Sequence, residues 1–152
     1  MSLKPRDPDY ERRVRASFER QAVMATLGVT IDRIAPGEVV LALPFRDDLT
    51  QQHGLLHAGI VTSVLDSACG YAALSLMEPG AGVLSVEFKV NLLAPARAKR
   101  FQAIGHVVRA GRTVTVTSAE LRAADDGNVA GELVAIMTGT MMTVRDRPGL
   151  SD

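Results

Sequence analysis

The sequence predicts one α+β domain in which a curved antiparallel sheet wraps around a single long central helix. Three observations lead there. Residues 58–76 are apolar nearly all round, with Asp66 the only charge between His57 and Glu78. A helix without a polar face must be covered on most sides. Two runs before it and four after it carry strand and turn signals, so sheet is the element available to supply the cover. A length of 152 residues, 47% of them apolar, suits one domain with one hydrophobic core.

Each element has its own signal. Residues 1–27 read as an N-terminal surface helix, with Asp7 and Pro8 as cap and first-turn proline and Gly28 as the stop. Its stripe of Val14, Phe18 and Met24 is thin, which suits a helix lying on the body of the protein or on another subunit. The main domain is expected over 28–145. Residues 29–35 and 38–43 are strands joined at Pro36-Gly37, and 44–56 form a polar loop. Glu78-Pro79-Gly80-Ala81-Gly82 closes the long helix with a proline and two glycines. Leu84, Val86, Phe88, Val90 and Leu92 then alternate with Ser85, Glu87, Lys89 and Asn91, the period of a half-buried strand. Residues 99–109, 113–122 and 129–144 continue the sheet, with a turn at Ala110-Gly111 and a hairpin signal at Asp125-Asp126-Gly127-Asn128. Residues 146–152 look like a loose tail. Such a sheet has an outer face and free edges, which points to pairing with other subunits.

Charge narrows the partners. Lys and Arg balance Asp and Glu at 17 each, so no long-range field draws nucleic acid or an anionic membrane, and neither is expected. A lone Cys69 excludes an internal disulfide and fits a reducing compartment. The N-terminal residues lack the apolar core of a signal peptide. Residues 58–76 approach the roughly 20 residues of a membrane span, but Asp66 sits at their centre and a buried helix is the better reading. A cytoplasmic location is expected.

The chemistry centres on Asp66. Burying a carboxylate among Val61, Val64, Leu65, Ala68 and Cys69 is costly unless it is paired or placed in a polar site. The bland alternative is a structural Asp hydrogen-bonded to backbone or a partner helix; a general base is favoured over it. At the helix start, His57-Ala58-Gly59 offers free backbone N–H groups, a favourable dipole and small side chains, as an oxyanion in acyl transfer requires. Ala58 and Asp66 are eight positions apart, about 12 Å along a helix. One carbonyl cannot touch both. If both act, the site is shared, Ala58 from one subunit meeting Asp66 from another across a two-fold axis.

Gln51, His57-Ala58-Gly59 and Asp66 in an apolar helix, followed by the strand at 84–95, Arg109-Ala110-Gly111-Arg112 and Ala119-Glu120-Leu121, resemble the PaaI-type branch of the hot-dog thioesterases. The resemblance covers roughly residues 28–144. It implies a hot-dog fold, dimers often paired into tetramers, and hydrolysis of acyl-CoA thioesters without metal or redox cofactor. It puts the base or nucleophile at Asp66 and the oxyanion donor at the Ala58 N–H, where Ala replaces the first glycine of the family's His-Gly-Gly. It puts Gln51 at the position that holds the water or carbonyl, and His57 in the role of fixing the loop. Ser85 falls where some members carry a hydroxyl assisting the carboxylate, although strand alternation sets it opposite the aliphatic face. Aryl-acetyl groups are the acyl class it suggests.

The remaining candidates are weaker. His53 and His57 lack a third ligand, so no metal site is expected. His106 sits in a predicted strand without an evident partner. Ser63, Ser67 and Ser75 lack a nucleophile elbow, Cys69 reads as packing, and no glycine-rich run has phosphate-loop spacing. Among Arg97, Lys99, Arg100, Arg109 and Arg112, the best candidates for the CoA phosphates are Arg112 and then Arg109, against ordinary solvated surface. Two rival readings stand beside the thioesterase. One is a hot-dog dehydratase or hydratase, which would need a histidine on the central helix; the other is a non-catalytic acyl-CoA-binding module, which leaves Asp66 unexplained.

Overall fold

The computed structural model describes residues 3–125 and 131–152. In chain order it contains helices α1 (Tyr10–Arg20) and α2 (Ala22–Leu27), strands β1 (Thr30–Ala35) and β2 (Glu38–Pro44), a 3-10 turn at Asp47–Leu49, and helix α3 (Ala58–Leu74). Strands β3 (Gly82–Leu92), β4 (Arg100–Ala110), β5 (Val114–Ala123) and β6 (Leu133–Val144) follow. They form one six-stranded sheet in the order β1-β2-β4-β5-β6-β3, antiparallel throughout. The α+β fold and its elements match the sequence expectation. Of the predicted hairpin, Asp126, Gly127 and Asn128 lie outside the described residues.

Helix α3 packs on one face of the sheet against β2 to β6. Val61, Val64, Leu65, Ala68, Cys69 and Leu74 meet Val39, Leu41, Leu43, Phe101, Leu121 and Met137 in a single core. Gly105 sets how closely the layers approach. A Cβ there would stand 2.3 Å from the Ala68 carbonyl oxygen and 2.9 Å from the Cys69 nitrogen. Only a residue without one lets the helix backbone rest on β4.

The N-terminal segment departs from expectation in two ways. It is two helices, because Gln21 takes an extended conformation (φ −81°, ψ 91°) that interrupts the ladder; Gly28 does close the second. Asp7 accepts from the Asp9 N–H at 2.9 Å, but α1 begins only at Tyr10. Asp7 is instead buried, 3.3 Å from the Arg13 guanidinium. Arg13 in turn donates to the carbonyls of Leu74, Met77 and Glu78 at 3.0, 2.8 and 2.5 Å, tying α1 to the end of α3 and the turn that follows it. Burial pulls the Arg13 pKa below its ordinary value, opposed by Asp7, Asp152 and Glu78. Val14 and Met24 belong to the main core, so this segment is more than a surface helix.

Two further corrections concern β3 and the tail. The β3–β6 register shifts between Ser85 and Glu87, a bulge that admits one extra residue and reverses side-chain parity. Ser85 pairs with buried Met141 and so faces α3, whereas Leu84 pairs with the more exposed Met142 on the outer face. Beyond the bulge, Phe88, Val90 and Leu92 pair with Gly139, Met137 and Ala135 and return to the inner face. The simple alternation is thus right for 88–92 and inverted for 84 and 85. Residues 146–152 are not loose. Asp152 accepts from the Ser17 hydroxyl at 2.6 Å and the Val83 N–H at 3.0 Å, drawing the segment against α1 and the start of β3.

Candidate active site

The loop before α3 is built to present one backbone donor. His57 is extended (φ −63°, ψ 138°) and caps the helix, its Nδ1 accepting from the Gly59 N–H at 2.8 Å. That bond requires an unprotonated Nδ1. The Ile60 N–H goes to the His57 carbonyl at 2.9 Å, and the His57 N–H goes to the Leu49 carbonyl at 3.0 Å. Of the four donors orphaned at a helix start, three are therefore used. The Ala58 N–H has no acceptor among the described residues. Upstream, the Gln51 side-chain oxygen accepts from the His53 N–H, and the Gln51 N–H donates to the Leu55 carbonyl at 2.8 Å. The turn holds Gln51 in place and leaves its side-chain amide N–H groups free among the described residues.

Eight residues further along the same unbroken helix, Asp66 is half-buried rather than enclosed. Its Oδ1 accepts from the Ser85 hydroxyl at 2.6 Å, and Ser85 also lies 3.4 Å from the Met141 sulfur. The predicted cost of burying this carboxylate is avoided, because it faces a cavity and has a hydroxyl partner. The Asp66–Ser85 pair opens on a cavity of about 320 Å³. Ser67, Gly70 and Tyr71 of α3 continue its lining from Asp66, and Val83 and Leu84 continue it from Ser85. No histidine is among these lining residues.

A model of the thioesterase superfamily matches residues 53–130, just over half of the chain. The chain belongs to that superfamily. A solved thioesterase family protein from Silicibacter pomeroyi is 56% identical, with a TM-score of 0.85 over 90% of this chain and 98% of its own. Human acyl-coenzyme A thioesterase 13 is 29% identical over 70% of this chain and 74% of its own. The E. coli PaaI protein from the phenylacetic acid degradation operon shares the fold, with a TM-score of 0.80 at 22% identity over 94% and 96% of the two chains. The hot-dog fold and the class of thioester hydrolase follow from these relations, and the likeness to PaaI is one of fold.

Within this superfamily member, the predicted residues fall into three groups. Asp66 and Ser85 meet directly. His57, Ala58 and Gly59 meet at the start of α3, with the Gln51 turn just upstream; the two clusters are separated by about 12 Å of helix. Arg109 and Arg112 stand exposed at the end of β4 and on the β4–β5 turn, outside the cavity lining. His106 does have a partner, Glu38 Oε2 at 3.1 Å from its Nδ1. Cys69 is fully buried, and burial pushes its thiol up to about 11 against the Thr117 hydroxyl contact, so it is not a nucleophile.

Sequence reasoning missed the cavity wall made by Ser17, Arg20, Gln21 and residues 149–152. These residues are remote from Asp66 in sequence and arrive only through tertiary packing. The one local trace is Gly82, which reads as a helix stop. A Cβ there would stand 1.9 Å from the Leu150 carbonyl oxygen. Its real service is to let the tail backbone lie on β3.

Proposed function

We propose that this protein hydrolyses acyl-CoA thioesters to the free acid and CoA, with aryl-acetyl groups the first class to try. The observation that carries the reading is the Asp66–Ser85 pair at the mouth of the cavity. One carboxylate oxygen is held by the hydroxyl, so the other is oriented toward whatever enters. The Ala58 N–H, unengaged at the positive end of α3, complements it as the oxyanion donor.

Twelve ångströms of helix keep the two groups from one carbonyl in a single subunit. The active form is accordingly a homodimer, in which the Ala58 N–H of one protomer faces the Asp66 of the other and a two-fold axis gives two sites. Exposed Phe88, Leu92 and Leu93 on and beside edge strand β3 support such pairing. Leu84, Val86, Val114, Val116 and Met142, apolar and exposed, support a second, tetramer-forming contact through the outer sheet face.

In the reaction, the thioester oxygen accepts from the Ala58 N–H, while His57 and Gly59 keep the helix start rigid. Gln51 directs its amide toward the water or the carbonyl. Asp66 takes a proton from water as the hydroxide adds to the carbonyl carbon, or attacks that carbon itself to give an anhydride that water then opens. The C–S bond breaks as the tetrahedral oxyanion collapses. A thiolate is a good leaving group, and no strong acid is required. Arg112 and Arg109 are assigned to the CoA phosphates at the protein surface. The working assignment is a hydrolase domain over residues 28–145 of a cytoplasmic protein, flanked by the N-terminal helices at 1–27 and the tail at 146–152.

The decisive test compares thiol release from aryl and aliphatic acyl-CoAs by the native protein and by Asp66→Asn. Native turnover should fall at least ~100-fold in the variant, with the melting temperature nearly unchanged. Absence of thiol release from every substrate by the native protein would end the acyl-CoA reading.

A further inference from the structure

We infer that residues 149–152, clamped by Asp152, are the floor of the acyl pocket and set the length of acyl group that the enzyme accepts. This rests on the acyl-CoA reading above and goes beyond it to a specificity element.

The cavity beside Asp66, about 320 Å³, is at the low end of small-molecule sites, about 300–1,000 Å³. It has room for an acyl group and none for the nucleotide and pantetheine arm, which must lie outside. An acyl chain entering past Asp66 and Ser85 runs along α3 toward Tyr71 and along β3 toward Val83. There it meets Asp152. One carboxylate oxygen of Asp152 accepts from the Val83 N–H at 3.0 Å, and the other accepts from the Ser17 hydroxyl at 2.6 Å with Arg20 at 3.6 Å. Val83 is two residues from Ser85, so the floor lies about 7 Å along the strand from the Asp66 partner. That depth admits an aromatic ring or a short chain and stops a long one.

The floor is attached to the body without using any residue of the proposed chemistry. Beyond the Asp152 side chain, its N–H reaches the Ala81 carbonyl at 3.4 Å, and the Leu150 carbonyl rests on Gly82. Two independent substitutions therefore lift it. Asp152→Ala removes the links to Ser17, Val83 and Arg20, and Gly82→Ala drives a methyl group into the Leu150 carbonyl. Leu150 is partly exposed and holds no core position, so displacement of the segment need not unfold the domain.

The experiment measures kcat/KM for straight-chain acyl-CoAs from butanoyl to dodecanoyl with the native protein and both variants. Circular dichroism and melting curves accompany it. The native profile should fall off with length. In either folded variant the dodecanoyl-to-butanoyl ratio should rise at least ~10-fold, since each methylene newly buried is worth about fourfold, while the butanoyl value holds. An unchanged ratio in both variants, or an equal loss at every length, overturns the inference. Should the native protein hydrolyse neither this series nor an aryl-acetyl-CoA, the acyl-CoA reading fails separately. Calorimetric binding of butanoic to dodecanoic acids to the same three proteins then decides the floor by the same ratio.

Discussion

Strands β3 and β4 are each 11 residues long and both carry apolar side chains, yet they have opposite fates. β4 lies inside the sheet, and Phe101, Ala103, Ile104 and Val107 are buried. β3 lies at the edge, and Val86, Phe88 and Leu92 remain 59%, 45% and 54% exposed. Apart from Val108, 64% exposed near its end, β4 turns its large apolar residues to the subunit's interior. β3 leaves them exposed at the sheet edge, and it is β3 that carries Ser85 to the carboxylate. Under the proposed function, stability and activity are drawn from different strands of one sheet.

Substitutions in the two strands should separate accordingly. The largest effect is expected for Gly105→Ala in β4. Its methyl would meet backbone atoms of α3 that cannot rotate away, and overpacking of this kind costs about 1–3 kcal/mol or more. A lowered denaturant midpoint with intact assembly of the folded fraction is the expected result. Phe88→Asp in β3 should do the reverse. Sedimentation should show smaller species, activity should be lost with assembly, and far-UV circular dichroism of the subunit should persist. Wild-type sedimentation in that variant would remove β3 from the interface. Ser85→Ala comes next, with turnover falling about 10-fold or more as a charge-assisted hydrogen bond is lost, at little cost in melting temperature.

The smallest effect belongs to the far end of α3, next to the start of β3. A hydrogen bond from Arg145, then one from its own backbone N–H, and last one from Arg6 hold the Glu78 carboxyl below its ordinary pKa. A depressed folded-state pKa gives stability that is full above the unfolded value, about 4.3, and is lost as pH falls through the lower folded value. Glu78→Gln should therefore be less stable than wild type at neutral pH, by less than ~1 kcal/mol for so exposed a cluster, and the gap should close in acid. An equal gap at all pH values would assign the effect to packing instead.

The comparison also explains how much could be read in advance. Elements set by local pattern were legible: the apolar helix, its His57 start, the strands, and the turns at Pro36-Gly37 and Ala110-Gly111. Asp66 stood out because a charge in an apolar helix is expensive, and the Ala58 donor because small residues open a helix. Three things were illegible for physical reasons. A bulge leaves no mark in an alternating pattern, so Ser85 appeared to face away from α3. Arg13, three carbonyls and Asp7 meet only after the chain has folded. The cavity floor at Asp152 and its Ser17 anchor are joined over nearly the whole length of the chain, where no spacing rule reaches.

The bulge at Val86 acts on the strand as a frameshift acts on a message. Upstream of it the odd-numbered residues lie on the face that carries α3; downstream of it the even-numbered ones do. A lineage can therefore revise the outer surface around Lys89 and Asn91 without altering what Asp66 sees. Loss of one residue at this point would turn Ser85 away from Asp66 even though every other side chain were retained. Sequence identity alone would not reveal such a loss, and gaps in this strand are the changes to watch when relatives of this protein are sorted by activity.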